Sequence, residues 1–257
     1  MAPDISSPSN ERIKRLIRLR ERRHRDAEGV FIVEGDRLYR RAIASGLVPE
    51  VTFVDDPGHD TVGTTVTVAP EVLDRASYRA RSEGLIAVFP QLDLRLESLA
   101  TNAPPLILVT EAIEKPGNLG AMMRTAAASG AGSMICVGHT ADPHNPNAVR
   151  ASTGSLFDMP LAVTDWPGAA AWLHERETEI VGASPDGTES LWVADLTGPI
   201  AIVIGSEDRG LSDEARSRCS RTLAIPQMPS SADSLNASVA AGVILFEAMR
   251  QRSQPSR

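Results

Sequence analysis

The chain has 257 residues, 42% hydrophobic and 23% charged, with 26 Lys or Arg against 33 Asp or Glu and a net charge of −7. Such a chain can bury a sizeable core and has room for two domains. It holds no apolar run of membrane-spanning length, no signal core in MAPDISSPSNERIK, no paired spacing for Cys136 and Cys219, and only scattered histidines. The sequence therefore predicts a cytoplasmic protein without membrane segment, disulfide framework or metal site.

The acidic average hides a basic start. Residues 11–25, ERIKRLIRLRERRHR, carry eight Lys or Arg against two Glu. Ile13, Leu16 and Ile17, extended by Arg20, follow a 3.6-residue period and predict one amphipathic helix with an apolar seam. Its other face presents Arg12, Lys14, Arg15, Arg18, Arg22 and Arg23, enough charge to neutralise several nucleic-acid phosphates. A solvated helix face has the same pattern, and the two readings are compatible.

Next come a strand in GVFIVEG, a helix in DRLYRRAIASG ending at Gly46, strands in EVTFVDD and TTVTVAP, and a closing strand GLIAVFP at 84–90. QLDLRLESLATNAPP reads as a linker, which sets a first domain at 1–95, a linker at 96–105 and a second domain at 106–257. There the pattern restarts with strand LILVTEA, helix NLGAMMRTAAASG, strands SMICVG, EIVGAS, PIAIVIG and LAIP, and a C-terminal helix through about Arg252. Apolar strands alternating with helices predict an α/β fold with a mostly parallel sheet covered on both faces.

In such sheets ligands bind beyond the carboxyl ends of the strands. Three loops there stand out: EAIEKPGNLGAMMRTAAASG, where Asn118 opens a helix carrying Arg124; IAIVIGSEDRGLSDE, where a strand breaks at Gly205 before Glu207; and ADSLNASVAAG, where Ser234, Asn236 and Ser238 precede an alanine-rich helix. Taken singly, each has a plain explanation as a helix cap or strand terminator. The G-x-G-x-x-G dinucleotide fingerprint and the G-x-x-x-x-G-K-[ST] phosphate loop are both missing.

In this order, Asn118 with Arg124, Gly205-Ser206-Glu207 and Ser234-Leu235-Asn236 resemble the three motifs of the SpoU (TrmH) family of RNA ribose 2'-O-methyltransferases in the SPOUT superfamily. Departures are modest: Lys115 stands where an Asp is common, and Glu83 where a Gln is usual. SNERIKRLIRLRERRHRDAEGVFIVEG and GLIAVFP are similar to the L30e-like substrate-binding domain of the family's ribosomal RNA members. The resemblance implies a deep trefoil knot holding S-adenosylmethionine through backbone groups at Gly205, Ile225 and Leu235, with small residues allowing close approach to the ligand. It also implies a homodimer in which Arg124, supplied across the interface, serves the ribose hydroxyl, Ser234 meets a target phosphate, and Asn118, Glu207 and Asn236 position Arg124 and the loops. The basic helix would then contact RNA, with 23S ribosomal RNA the first expectation and transfer RNA the alternative. A non-catalytic RNA-binding module and a different nucleotide-dependent α/β enzyme are the competing classes. Binding of S-adenosylmethionine against NAD and ATP separates them.

Overall fold

A computed structural model of the chain describes residues 3–99, 105–228 and 235–253. It divides into two compact units, one of Met1–Leu92 with Asp142–Asp158 and the other of Asp93–Ala141 with Met159–Arg257. The first begins with helices α1 (Glu11–Arg18) and α2 (Arg22–Glu28), strand β1 (Val30–Glu34) and helix α3 (Asp36–Ala44). Strands β2 (Val51–Val54) and β3 (Thr65–Thr67), helix α4 (Pro70–Ala76) and strand β4 (Leu85–Pro90) complete its sheet, ordered β1-β4-β2-β3.

The basic stretch is thus two short helices rather than the single one its periodicity predicts. Ile13, Leu16 and Leu19 are fully buried, whereas Ile17 is 36% exposed, so the seam runs through Leu19. Arg25 explains the break. Its guanidinium is buried and donates from Nη1 to the carbonyls of Leu19 (2.9 Å) and Arg20 (2.7 Å), while Nη2 pairs with Asp142. Carbonyls freed by the end of α1 thereby gain a charged donor.

Strand β1 also shows why 142–158, which the sequence assigns to the second domain, joins the first. Val30 and Ile32 face a core with Ile13, Leu16 and Leu73. Phe31, on the opposite side, has ring centroids 5.9 Å from Phe89, 5.0 Å from His144 and 6.3 Å from Phe157. A strand apolar on both faces needs two covering layers. The second includes the segment containing His144 and Phe157.

The second unit starts with strand β5 (Leu106–Glu111), helix α5 (Pro116–Ala128) and strand β6 (Ser133–Val137). Helices α6 (Pro146–Ala151) and α7 (Ser155–Asp158) belong to the first unit. Strand β7 (Leu161–Thr164), helix α8 (Trp166–His174) and strands β8 (Glu179–Ala183), β9 (Glu189–Ser190) and β10 (Ile200–Ile204) come next, then helix α9 (Asp213–Arg218), strand β11 (Arg221–Ala224) and helix α10 (Ala237–Arg252). The sheet runs β7-β6-β5-β10-β8-β11-β9 with every pairing parallel. Strand β10 lies between β5 and β8, two strands that precede it in the chain. Val109, Val137 and Val203 form one core with Trp166, Leu173 and Ala215 of α8 and α9, and α10 packs on α5 and β10. Among the described residues no helix is long and apolar enough to cross a membrane, and no cluster of His, Cys, Asp or Glu has the grouping of a metal site.

Candidate active site at the carboxyl ends of the parallel strands

Strand β10 ends against its own turn. A Cβ at Gly205 would lie 2.2 Å from the Gly210 carbonyl oxygen and 2.5 Å from the Leu211 nitrogen, so no side chain fits there. Ser206 and Gly210 exchange two backbone hydrogen bonds of 3.0 Å, and Gly210 closes the turn at φ +65. Sequence reasoning linked the small residue at 205 to ligand approach. The structure assigns it first to closure of the protein's own loop.

Glu111, at the end of β5, anchors the far side of that turn. Its buried carboxylate accepts from Trp166 Nε1 (2.7 Å), Ser212 Oγ (2.5 Å) and the Ser212 backbone N–H (2.9 Å). Ser212 in turn caps α9 through Ala215 N–H. Both ends of the 205–212 segment are therefore held before any ligand binds.

These loops enclose a cavity of about 370 Å³, within the range of small-molecule sites. One wall is Gly205–Gly210, another Ala183–Asp186 at the end of β8, a third Leu223 and Ile225 at the end of β11, and Leu235, Ala237 and Ala240 border it from the α10 side. Three expected cofactor positions, Gly205, Ile225 and Leu235, thus meet on one cavity. Ile225 and Leu235 make no backbone hydrogen bond among the described residues, which leaves main-chain donors and acceptors for a ligand.

Glu207 lines the same cavity. One carboxylate oxygen pairs with Lys115 and the other, Oε1, is buried without a partner among the described residues. That hydrogen bond holds the Lys115 ammonium above its ordinary pKa range. Asn118 Nδ2 is likewise buried and unpartnered among the described residues. Asn118 is the third residue of α5, after the Lys115 cap and Pro116, so it does not cap that helix. Arg124 is exposed on α5, makes no hydrogen bond or ion pair among the described residues, and is not part of the cavity wall.

Asn236 is the N-cap of α10, its side-chain oxygen accepting from the Ser238 backbone N–H (2.9 Å) and hydroxyl (2.6 Å). Ser234 lies outside the described residues. The Ala183–Asp186 wall escaped sequence reasoning. There Arg216 donates to Ser184 Oγ (3.1 Å), and the Ser184 hydroxyl holds the Asp186 carboxyl below its usual range. The signal was available in GASPDG, small residues and a turn directly after a strand.

The basic helices are largely self-neutralised. Lys14 pairs with Glu11 (2.7 Å), Arg15 with Glu28 (2.6 Å) and Glu50 (3.0 Å), Arg22 with Asp26 (3.2 Å), and Arg23 with Glu21 (2.7 Å). Arg12 and Arg18 make no ion pair among the described residues.

A small-molecule cavity walled by loops at the ends of a parallel sheet, with a separate mixed-sheet unit, marks a two-unit α/β protein that places a ligand beside open main-chain groups. The chain belongs to the SpoU rRNA Methylase family, whose model matches residues 105–246, and residues 10–87 match the MRM3-like substrate binding domain. It is 33% identical to the 23S rRNA (uridine(2479)-2'-O)-methyltransferase of Streptomyces viridochromogenes, covering 91% of this chain and 87% of that one. It is 36% identical to the 23S rRNA (guanosine-2'-O-)-methyltransferase RlmB of Ralstonia nicotianae, over 67% and 71% of the two chains. The crystal structure of the SpoU methyltransferase AviRb from Streptomyces viridochromogenes with AdoMet superposes with a TM-score of 0.87 at 32% identity, covering 95% of this chain and 98% of that one.

Proposed function

We propose that the chain transfers a methyl group from S-adenosylmethionine to a ribose 2'-hydroxyl of RNA, with 23S ribosomal RNA as substrate. The observation that carries this reading is the cavity of about 370 Å³ at Gly205, Ile225 and Leu235, with the main-chain groups of Ile225 and Leu235 left open among the described residues. Relatives named as 23S rRNA 2'-O-methyltransferases, and the AdoMet complex of AviRb, support the ligand and the acceptor. Bound there, S-adenosylmethionine supplies an activated methyl group on a sulfonium. The loops of this domain form the deep trefoil knot, a reading supported by the position of β10 between β5 and β8.

The residues divide the remaining work. Arg124 orients the ribose hydroxyl and stabilises the alkoxide as it develops; a guanidinium holds its proton too firmly to act as a base. Glu207 and Asn118, each with a buried polar atom unpartnered among the described residues, order the entry to the cavity and position Arg124. Ser234 contacts the target phosphate, and Asn236 sets the start of α10 beside the cavity. Arg124 reaches the reaction centre of a second copy in a homodimer. Its place outside the wall of its own cavity supports this, as do Val239 (51% exposed), Phe246 (45%) and Met249 (40%), apolar residues uncovered on α10. Acceleration comes chiefly from holding nucleophile and methyl in line.

The test uses RNA chemistry. A methylated 2'-hydroxyl cannot attack the adjoining phosphodiester, so incubation with S-adenosylmethionine and 23S rRNA should leave one alkali-resistant step in a hydrolysis ladder. A substrate with 2'-deoxyribose at that nucleotide should take no methyl group. Methyl incorporation into the deoxy substrate would move the modification to a base and end the ribose assignment.

A further inference from the structure

The first unit carries a second concentration of cations far along the chain from α1. We infer that the face formed by Tyr78, Arg79, Asn147 and Arg150 holds a single-stranded segment of the RNA substrate, an unstacked base lying on Tyr78 and the flanking phosphates on the arginines. This rests on the reading that RNA is the substrate and adds where and how the first unit grips it.

Tyr78 is 38% exposed, while the other tyrosine, Tyr39, is buried. The exposed ring is held in place. The Tyr78 backbone N–H donates to Glu34 Oε1 (2.6 Å), Ser77 Oγ donates to Glu34 Oε2 (2.9 Å), and Asn147 Nδ2 donates to the Tyr78 hydroxyl (3.3 Å). Both Glu34 oxygens are thereby engaged with the loop, and neither makes an ion pair with Arg79 or Arg150. An aromatic ring pinned at its backbone and its hydroxyl presents a preorganised surface, and bases stack on such surfaces with little regard to sequence.

Tyr78, Arg79 and Arg150 line one small depression with Glu34, Pro146 and Val149. One cation there remains uncompensated. Arg150 donates to the neutral amide of Asn147 (2.8 Å) and meets no carboxylate among the described residues. Arg79 pairs, among the described residues, with exposed Glu83 alone, and is compensated as Arg22 and Arg23 are. Arg75, at the end of α4, and Arg81 are exposed on either side in sequence and make no ion pair among the described residues. Aromatic ring, guanidinium groups and side-chain amide together match the way single-stranded RNA is held: stacking on the base, charge on the backbone. The arginines of α1 and α2 are mostly engaged by neighbouring carboxylates, and residues 11–28 contain no Tyr, Phe or Trp.

The experiment measures filter binding of the full chain to 23S rRNA transcribed in vitro, across a salt series. Tyr78→Ala should weaken binding about tenfold and Tyr78→Phe by less than about threefold, because the ring face remains. Arg150→Gln should weaken binding and lower the salt slope by about one. Binding of S-adenosylmethionine and the melting temperature should stay unchanged in Tyr78→Phe and Arg150→Gln, which keeps the test valid even if Tyr78→Ala folds poorly. Wild-type affinity and salt slope in Arg150→Gln, with Tyr78→Ala also binding as wild type, would overturn this face while leaving RNA as the substrate. A wild-type chain that does not bind the transcript would overturn 23S ribosomal RNA as the substrate and this face as its holder.

Discussion

Arg23 and Arg124 are both exposed arginines on helices, but their surroundings differ. Arg23 sits 2.7 Å from Glu21 within a segment that supplies its own counter-ions, whereas Arg124 has no hydrogen bond or ion pair among the described residues. The most basic stretch of the sequence is therefore among its most self-neutralised surfaces. A lone arginine in an apolar helix keeps its full charge for a partner. Charge density along a chain measures what was built in, and the distances around each group decide how much remains to act on a ligand.

The largest effect should come from Arg124. Arg124→Ala should lower methyl transfer about 10³-fold while S-adenosylmethionine affinity stays the same, the size expected when a group acting on developing charge is lost. If the residue acts across a dimer, mixing this variant with a Gly205→Trp chain should restore part of the activity in verified heterodimers. Gly205→Trp drives a ring into the Gly210 backbone and disables only its own cavity. Heterodimers that stay inactive would place Arg124 at its own chain's site.

Arg25 sharpens the contrast from the other side, because it is a cation committed wholly to structure. Arg25→Met would leave Asp142 buried without its partner and free the Leu19 and Arg20 carbonyls. A loss of about 3 kcal/mol in unfolding free energy is expected, as for other broken buried pairs. Chemical denaturation reads it directly, and a change below about 1 kcal/mol would mean that water replaces the guanidinium. Arg25 belongs by sequence to the basic stripe, and nothing local separates it from Arg22 or Arg23. Its partner Asp142 lies 117 residues away, and Ser212, the partner of Glu111, lies 101 residues away. Strands such as β5 and β10 were readable because buried parallel strands are continuous apolar runs. That Gly205, Ile225 and Leu235 line one cavity agrees with what the family resemblance implied, not with anything their local sequence shows. The packing of 142–158 into the first unit, the insertion of β10 between β5 and β8 and the Ala183–Asp186 wall were not readable, since each depends on which distant segment a face meets.

His144 gives the same interior a pH dependence. Burial lowers its pKa to about 4, and its Nε2 accepts from the Leu92 backbone N–H (3.1 Å). The folded value lies below the 6.5 of the free side chain, so between pH 4 and 6.5 the unfolded chain binds the extra proton. Stability should therefore fall as pH drops through that window, by about 3 kcal/mol from this residue. His144→Gln, which retains an acceptor, should flatten that part of the stability curve even if its stability at neutral pH is lower. A slope unchanged by the substitution would assign the acid sensitivity to other groups.

The smallest effect separates members of the basic stripe from one another. Arg12 and Arg18 make no ion pair among the described residues and act on Asp4 and Glu11 only at longer range, whereas Arg22 and Arg23 have Asp26 and Glu21 beside them. Removing one of the paired arginines exposes a carboxylate that was already partly compensated, and exposed pairs of this kind contribute only about 0–1 kcal/mol to stability. For RNA the same pairing means that a phosphate must displace a carboxylate, and fewer condensed cations are released for each contact made. Arg12→Gln with Arg18→Gln should therefore weaken binding to 23S rRNA several-fold and reduce the salt slope, while Arg22→Gln with Arg23→Gln should change affinity less than about twofold. Equal losses in the two double variants would show that the ion pairs open freely when RNA arrives, and the neutralisation along α1 and α2 would then carry no weight in choosing where the RNA lies.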